Sequence, residues 1–420
     1  MNNAILTTLF IGIDVDSTYN VVHMMNFNQK DLAHFKVKND VTGVTVIKDK
    51  AIEVILKYQY TDVIFVLEST SIYAFHTATF LSSNEELIQY NPRVYCINPK
   101  ISCNYRASFA DTNKDDFTDA KLLADIARVG RCEKISPWRG SQLLALQRLT
   151  RHRKHLADML AREKNYVLNN IFLKFSGLCT ATNSESPFSD IYGTTSIAVL
   201  TEYLSPEEII NTPLEELISF INKKSKGTIL NPEKTTQLLK SCAKSSYRLD
   251  NATLLPINLA ITSSINCIRS FENEIKVVTK EIQFLVKGFN DEEYTSLTSI
   301  KGIGPVFAAG IISEIGSVDQ FNDDDALAKY AGITWRKKQS GKFESEDNPI
   351  TKTGNKYLRY YLIEAANQVR KYVPEFNEYY HKKYNEAKTH KELRAQVLTA
   401  RKLIKVIYAL LKNRSLYKSR

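Results

Sequence analysis

The segment Asn113 to Arg128 reads NKDDFTDAKLLADIAR, and its acids are well spaced for chemistry. From Phe117 onward Leu122, Leu123, Ile126 and Ala127 recur at helical spacing, which predicts one amphipathic helix with acids in its first turn. Asp116 and Asp119 then share a face, with Cβ atoms about 5–6 Å apart. Two carboxylates so placed raise each other's cost of ionising. A hard divalent cation removes that cost, so the pair is half of a candidate site for Mg2+ or Mn2+. Acids early in a helix also cap it and complement its dipole, and Asp115 shares a face with Asp119 as well. Spacing alone leaves these readings open.

Such a helix needs a scaffold, and the preceding residues supply one. Thr8 to Val15 (TLFIGIDV), Tyr19 to Phe27 and Leu32 to Lys38 read as a three-stranded meander. Val41 to Tyr58 has helical periodicity, and Asp62 to Glu68 (DVIFVLE) suits a strand buried on both faces. Ser69 to Leu81 is helical again, and Arg93 to Asn98 is one more strand. Three strands followed by alternating helix and strand predict an α/β domain, a mixed sheet flanked by helices. Asp14 and Glu68 each close a buried apolar strand, where an unpaired charge is expensive and where α/β sites assemble. Asp14, Glu68, Asp116 and Asp119 thus form a set of four acids.

The order GIDV, VLE and KxDxxDA resembles the RuvC-like DEDD domain of transposases that carry a second, serine-containing domain. These are insertion-sequence bridge recombinases, relatives of the Piv-type invertases. The resemblance implies a ribonuclease H-like fold in which Asp14, Glu68, Asp116 and Asp119 bind Mg2+. The family usually has KTD where this chain has Lys114, Asp115 and Asp116, so the register favours Asp116. The basic run Asn98 to Ala110 (NPKISCNYRASFA) resembles the family's nucleic-acid-facing segment, which makes Lys100, Arg106 and the nearby Lys114 candidate contacts.

Composition agrees with a polyanionic partner. Among 420 residues, 56 Lys and Arg stand against 46 Asp and Glu, giving a net charge of +10 and a pI near 9.0. Six cysteines without CxxC pairs argue against a zinc ribbon or disulfide framework and fit a reducing cytoplasm. The N-terminal MNNAILTTLF lacks a basic n-region, and no run of about 18 apolar residues occurs. A soluble, cytoplasmic, nucleoid-associated protein with no membrane contact is expected.

Ser141 to Phe175 has no Gly or Pro and reads as one long helix. Within Ile265 to Leu285, residues Ile268, Phe271, Ile275, Val278, Ile282 and Leu285 form an a/d seam. The seam predicts an antiparallel hairpin with Leu146, Leu149, Leu156, Leu160 and Val167, and a homodimer or tetramer. Residues 177–262 read as an insertion to which no chemistry is assigned. The expected domains are 1–135 (RuvC-like), 136–290 (helical, coiled coil) and 291–420 (mainly helical).

In the last third, Ser299 to Gly316 (SIKGIGPVFAAGIISEIG) reads as a helix-hairpin-helix-like element. In such a turn Lys301, Gly302 and Gly304 can face a phosphate. From Arg336 to Arg359, seven basic residues (Arg336, Lys337, Lys338, Lys342, Lys352, Lys356, Arg359) stand against three acids (Glu344, Glu346, Asp347), a surplus suited to a phosphate backbone. Asn355 belongs to the same stretch. Ser340 lies in its middle with no base adjacent in sequence, so by itself the Ser-Gly pair reads as a turn. The run GIGPVFAA, KYAGIT, QSG and ITKTGNKYLR resembles the second domain of the same transposases. There the serine of the SG pair becomes joined to a DNA 5′ phosphate, which implies Ser340 as nucleophile. Trp335 stands where the family commonly has Pro.

Together these readings predict a transposase acting on donor and target DNA, Mg2+- or Mn2+-dependent, with a structured guide RNA implied by the resemblance alone. A metal-dependent nuclease or Holliday junction resolvase without a covalent intermediate is the alternative. GIDVDST also resembles the phosphate loop of actin-like ATPases, which need a second Gly-rich half that is not evident here.

Overall fold

The computed structural model describes residues 5–68, 72–109, 115–132, 137–138, 141–288, 292–335, 339–340, 343–344 and 350–419, with the side chains of 141, 339, 340, 343 and 344 excepted. The chain divides into two units, residues 1–148 with 286–420 and residues 149–285.

The sheet of the first unit comprises β1 (Thr8–Val15), β2 (Tyr19–Met25), β3 (Asp31–Lys38), β4 (Asp62–Glu68) and β5 (Arg93–Ile97), in the order β3-β2-β1-β4-β5. The first three strands are antiparallel, while β4 and β5 run parallel to β1. This mixed order is the ribonuclease H-like arrangement expected above. Helices α1 (Val41–Tyr58), α2 (Ala74–Ser83), α3 (Glu85–Ile88), α4 (Pro99–Arg106) and α5 (Asp116–Arg128) complete the layer. Strand alternation sends Leu9, Ile11, Ile13 and Val15 into one core with Val44, Ile47 and Ala51 of α1 and Ala78 and Leu81 of α2. Phe10 points the other way, into a core with Leu122, Leu123 and Ile126 of α5. Helix α1 begins where Asp40 accepts a hydrogen bond from the Gly43 N–H at 2.7 Å.

Helix α6 (Ser141–Lys174) is continuous, as its composition predicts. The second unit continues with α7 (Ser176–Thr180), α8 (Thr194–Glu202), α9 (Pro206–Asn211), α10 (Leu214–Ser225), α11 (Pro232–Ser245) and α12 (Asn251–Gly288). Val167 and Ile171 of α6 and Phe175 just after it pack in one core with Leu217, Leu239 and Ile261. Arg153 donates to Thr279 at 2.9 Å and Lys164 to Glu272 at 2.8 Å, so α6 and α12 run antiparallel. Ile268, Val278 and Ile282 of the seam are buried within the chain. Pro256, within the stretch read as an insertion, sits inside α12. The helix starts earlier than expected because Asp250 accepts the Thr253 N–H at 2.7 Å and caps it at that end.

The remaining helices are α13 (Glu292–Thr298), α14 (Pro305–Ile315), α15 (Asp324–Ala331), α16 (Lys356–Tyr372), α17 (Pro374–Glu386) and α18 (Lys391–Asn413). They share a core holding Ile311, Leu327, Tyr361, Leu362, Leu403 and Ile407. Among the described residues, strand pairing outside the large sheet amounts to a two-residue pair, β6 (Gln339–Ser340) with β7 (Phe343–Glu344), and a bridge between Trp335 and Ile350. No second α/β half of the kind an actin-like ATPase needs is formed among these residues. No described helix is long and apolar enough to cross a membrane.

Candidate functional site

The acids gather at the carboxyl ends of β1 and β4. Parallel pairing of Ile13 with Leu67 brings Asp14 and Glu68 to the same end of the sheet. Gly12 lets α5 lie over them. A Cβ on this residue would stand 2.0 Å from the Ala120 carbonyl oxygen and 2.4 Å from the Ala124 nitrogen, so only hydrogen fits against that backbone.

Asp115 is the cap of α5. Its carboxylate accepts the Thr118 N–H at 2.8 Å and the Thr118 hydroxyl at 2.7 Å, which holds its pKa below the usual range. Asp116, one residue on, acts on Asp14. Burial, and then the charges of Asp116 and Glu68, push the Asp14 carboxyl up from 3.8 to about 6, against a lowering by Arg106. Asp115 thus serves as the cap of α5, while Asp116 is the neighbour whose charge acts on Asp14.

Helix α4 reaches the acids from the side with two residues four apart. Ser102 donates to Glu68 at 2.6 Å, and the guanidinium of Arg106 pairs with Asp119. Arg106, expected from sequence to contact nucleic acid, is here engaged within the acid cluster. Ser102 was not singled out from sequence; its i, i+4 relation to Arg106 on a Pro-initiated helix was the available signal. Lys100 is exposed on the same helix, while Lys114 lies outside the described residues.

The donors fit a hard cation in kind. They are all carboxylates, and burial together with the charges of Asp116 and Glu68 raises the pKa of one of them, Asp14. As placed, no three His, Cys, Asp or Glu among the described residues stand close enough together to hold an ion, and Asp119 is engaged by Arg106.

The serine region is built differently. Ser340 pairs with Phe343 across the β6–β7 hairpin; Arg336, Lys337, Lys338 and Lys342 lie outside the described residues. The base below the hairpin is tightly tied. The Thr351 N–H donates to the Thr334 carbonyl at 2.8 Å, and the Asn355 N–H to the Tyr330 carbonyl at 2.7 Å. Arg359 donates to the carbonyls of Ala331 and Lys352 at 3.0 and 3.2 Å. Asn355 caps α16 through the N–H groups of Tyr357 and Leu358 at 3.0 and 3.1 Å, and its amide donates to the buried Glu314 at 2.8 Å. Arg359 and Asn355, expected from sequence to contact nucleic acid, here hold this base together. Lys352 remains exposed, with φ of 51°. Gly302 has φ of 103° and abuts Val369 of α16, so its lack of a side chain serves packing between helices. Gly304 has open space around it and Lys301 is exposed.

With this geometry in hand, the similarities are informative. A transposase family model of the DEDD type, DEDD_Tnp_IS110, matches residues 11–174, and the model for the IS116/IS110/IS902 transposase family matches residues 294–381. The 44.8 kDa protein of insertion element IS116 from Streptomyces clavuligerus is 22% identical over 338 residues, covering 79% of each chain. The transposase of insertion sequence IS1111A from Coxiella burnetii is 28% identical over 28% of this chain and 30% of its own. The 43.6 kDa protein of IS110 from Streptomyces coelicolor is 31% identical over 30% of each. A solved structure, T. thermophilus RuvC with a Holliday junction substrate, shows a likeness with a TM-score of 0.23 and 14% identity, covering 31% of this chain and 99% of that one. Two transposase models met in chain order, one on the acid-bearing sheet domain and one on the helical domain, place the protein: it belongs to the IS110/IS116 family of insertion-sequence transposases.

Proposed function

We propose that the chain recombines donor and target DNA by attack of Ser340 on a phosphodiester, with the acid cluster as the electrostatic half of the site. The carrying observation is the pairing of β1 with β4, which brings Asp14 and Glu68 to one end of the sheet, where burial and then the charges of Asp116 and Glu68 raise the Asp14 carboxyl to about 6. Asp14, Glu68, Asp116 and Asp119 would hold Mg2+ or Mn2+, which when bound neutralises charge on phosphate oxygens. In the proposed step the Ser340 oxygen bonds to phosphorus, the bond from phosphorus to the 3′ oxygen breaks, and the hydroxyl proton is given up as the leaving oxygen takes one. The result is a 5′ phosphoserine and a free 3′-OH, one ester exchanged for another. Ser102 orients Glu68. For Asp119 to serve as a ligand, Arg106 must leave it. Exposed Lys100, Lys301 and Lys352 sit where backbone contacts without sequence preference are useful. A structured guide RNA and assembly as a dimer or tetramer belong to this reading through the family resemblance; the net charge of +10 accommodates both nucleic acids.

Ser340→Ala and Asp14→Ala should each abolish recombination, and only the parent protein should leave chain covalently attached to cleaved DNA. Full cleavage by Ser340→Ala, yielding a 5′ phosphate and free 3′-OH, would make the protein a metal-dependent nuclease or junction resolvase. Sequencing of copurifying nucleic acid tests the RNA.

A further inference from the structure

A cleft of about 440 Å3 opens at the base of the Ser340 hairpin, lined by Asp325 and Lys329 of α15 and by Thr334, Trp335, Thr351 and Thr353 of the two chain segments that carry the hairpin. Its volume falls in the range of small-molecule clefts, roughly 300–1,000 Å3. The floor is rigid. Thr334 and Thr351 stand side by side with hydroxyls 3.2 Å apart, Trp335 is bridged to Ile350, and Arg359 ties the strands below. Gly332 and Gly354, at φ of 70° and 149°, let the segments approach so closely that a Cβ on Gly354 would lie 2.4 Å from the Tyr330 carbonyl. On this floor Trp335 keeps 39% of its surface in solvent.

We infer that this cleft holds one unstacked nucleobase of single-stranded DNA, with the Trp335 ring as its stacking face. This rests on the reading of Ser340 given above. The lining chemistry suits a base more than a phosphate. An indole offers a flat apolar face of the kind on which any base stacks, threonine hydroxyls both donate and accept, and the Asp325 carboxylate accepts from an exocyclic amino group while repelling phosphate. Asp325 is held in place by Arg401 of α18. Lys329 lines the cleft, and Lys352 is exposed between the lining residues Thr351 and Thr353, two cations available to the backbone of the same strand. Strand exchange requires unpaired bases next to the cut, and Trp335 of the cleft lies close to Ser340 in the sequence. Ser340 lies five positions after Trp335, at most about 17 Å of extended chain, or about five base steps of 3.4 Å. The base held is therefore one within about five nucleotides of the scissile phosphate.

The chain has two tryptophans, and Trp138 donates its N–H to Thr79 within the sheet domain. In full-length Trp138→Phe protein, Trp335 is the sole indole. A short single-stranded deoxyoligonucleotide should quench its emission with the same midpoint that fluorescence anisotropy gives for binding, and the matching duplex should quench far less. Trp335→Leu should weaken single-strand binding by roughly ten- to a hundredfold, and Trp335→Phe should restore most of it. Binding by anisotropy with unchanged emission, equal quenching by duplex, or a Trp335→Leu protein that binds as tightly as the parent would each overturn the assignment. Failure of the serine reading is separately visible: Ser340→Ala in the Trp138→Phe background should quench as its parent does, whereas absence of any covalent adduct in the parent protein would sink the nucleophile and leave the stacking result standing.

Discussion

The two halves of the proposed site are built on opposite principles. The acid half is a product of burial. A central strand, a neighbouring parallel strand and a helix seated on Gly12 press carboxylates together until one of them resists ionising. The serine half is a short hairpin raised from a base whose tightness comes from backbone carbonyls, two left-handed glycines and one arginine clamp. The contrast shows where each half is vulnerable. The acid half fails when packing changes, and the serine half when a few polar bonds are lost.

The largest effect should come from Gly12→Val. The added carbons collide with the backbone of α5, so the helix must move or the domain unfold, at a cost of about 3 kcal/mol or more. Thermal melts should show a large fall and recombination should be lost. A variant of near-parental stability and activity would mean that α5 is not held by this contact. Next is Arg359→Ala, which removes two charge-assisted bonds to carbonyls and should cost about 1–3 kcal/mol. It should depress recombination while leaving Mn2+ binding, read by calorimetry, unchanged; a matching loss of metal affinity would show that the two halves are coupled.

A smaller and sharper comparison separates neighbouring acids. Asp115→Ala removes the cap and should lower Tm by a few degrees with recombination retained. Asp116→Ala should do the reverse, leaving Tm equal or higher while abolishing recombination. The smallest effect is that of pH. Because Asp14 has a folded pKa raised from 3.8 to about 6, its protonated form is favoured by folding, and its contribution to stability falls as pH rises from about 4 to about 6. In chelator, Tm should decline across that window, and Mg2+ should offset the decline above pH 6. A decline that Mg2+ leaves untouched would argue against Asp14 as a ligand.

Much of the scaffold was legible from periodicity. Val41–Tyr58 and Asp62–Glu68 form the elements their apolar spacing predicts, with the same ends, because each is decided by neighbours within a few residues. The start of α12 was missed because one capping aspartate outweighed a proline near the helix end. In the candidate site, residue types and their order were legible, whereas several partners were not. Arg106, Asn355 and Arg359 look like cations and amides available to a nucleic acid until the fold turns them onto Asp119, Glu314 and the carbonyls of Ala331 and Lys352.

By itself the sequence determined most of the strands and helices, the order of the four acids, and a Ser-Gly pair at Ser340 in a basic stretch. Only the tertiary structure decided which acids repel one another, which arginine answers them, and that Trp335 sits over an open cleft. The physical reason is range. Helix and strand periods are set by local backbone geometry, while the ionisation of Asp14 and the engagement of Arg106 depend on charges brought close in space from parts of the chain far apart in sequence.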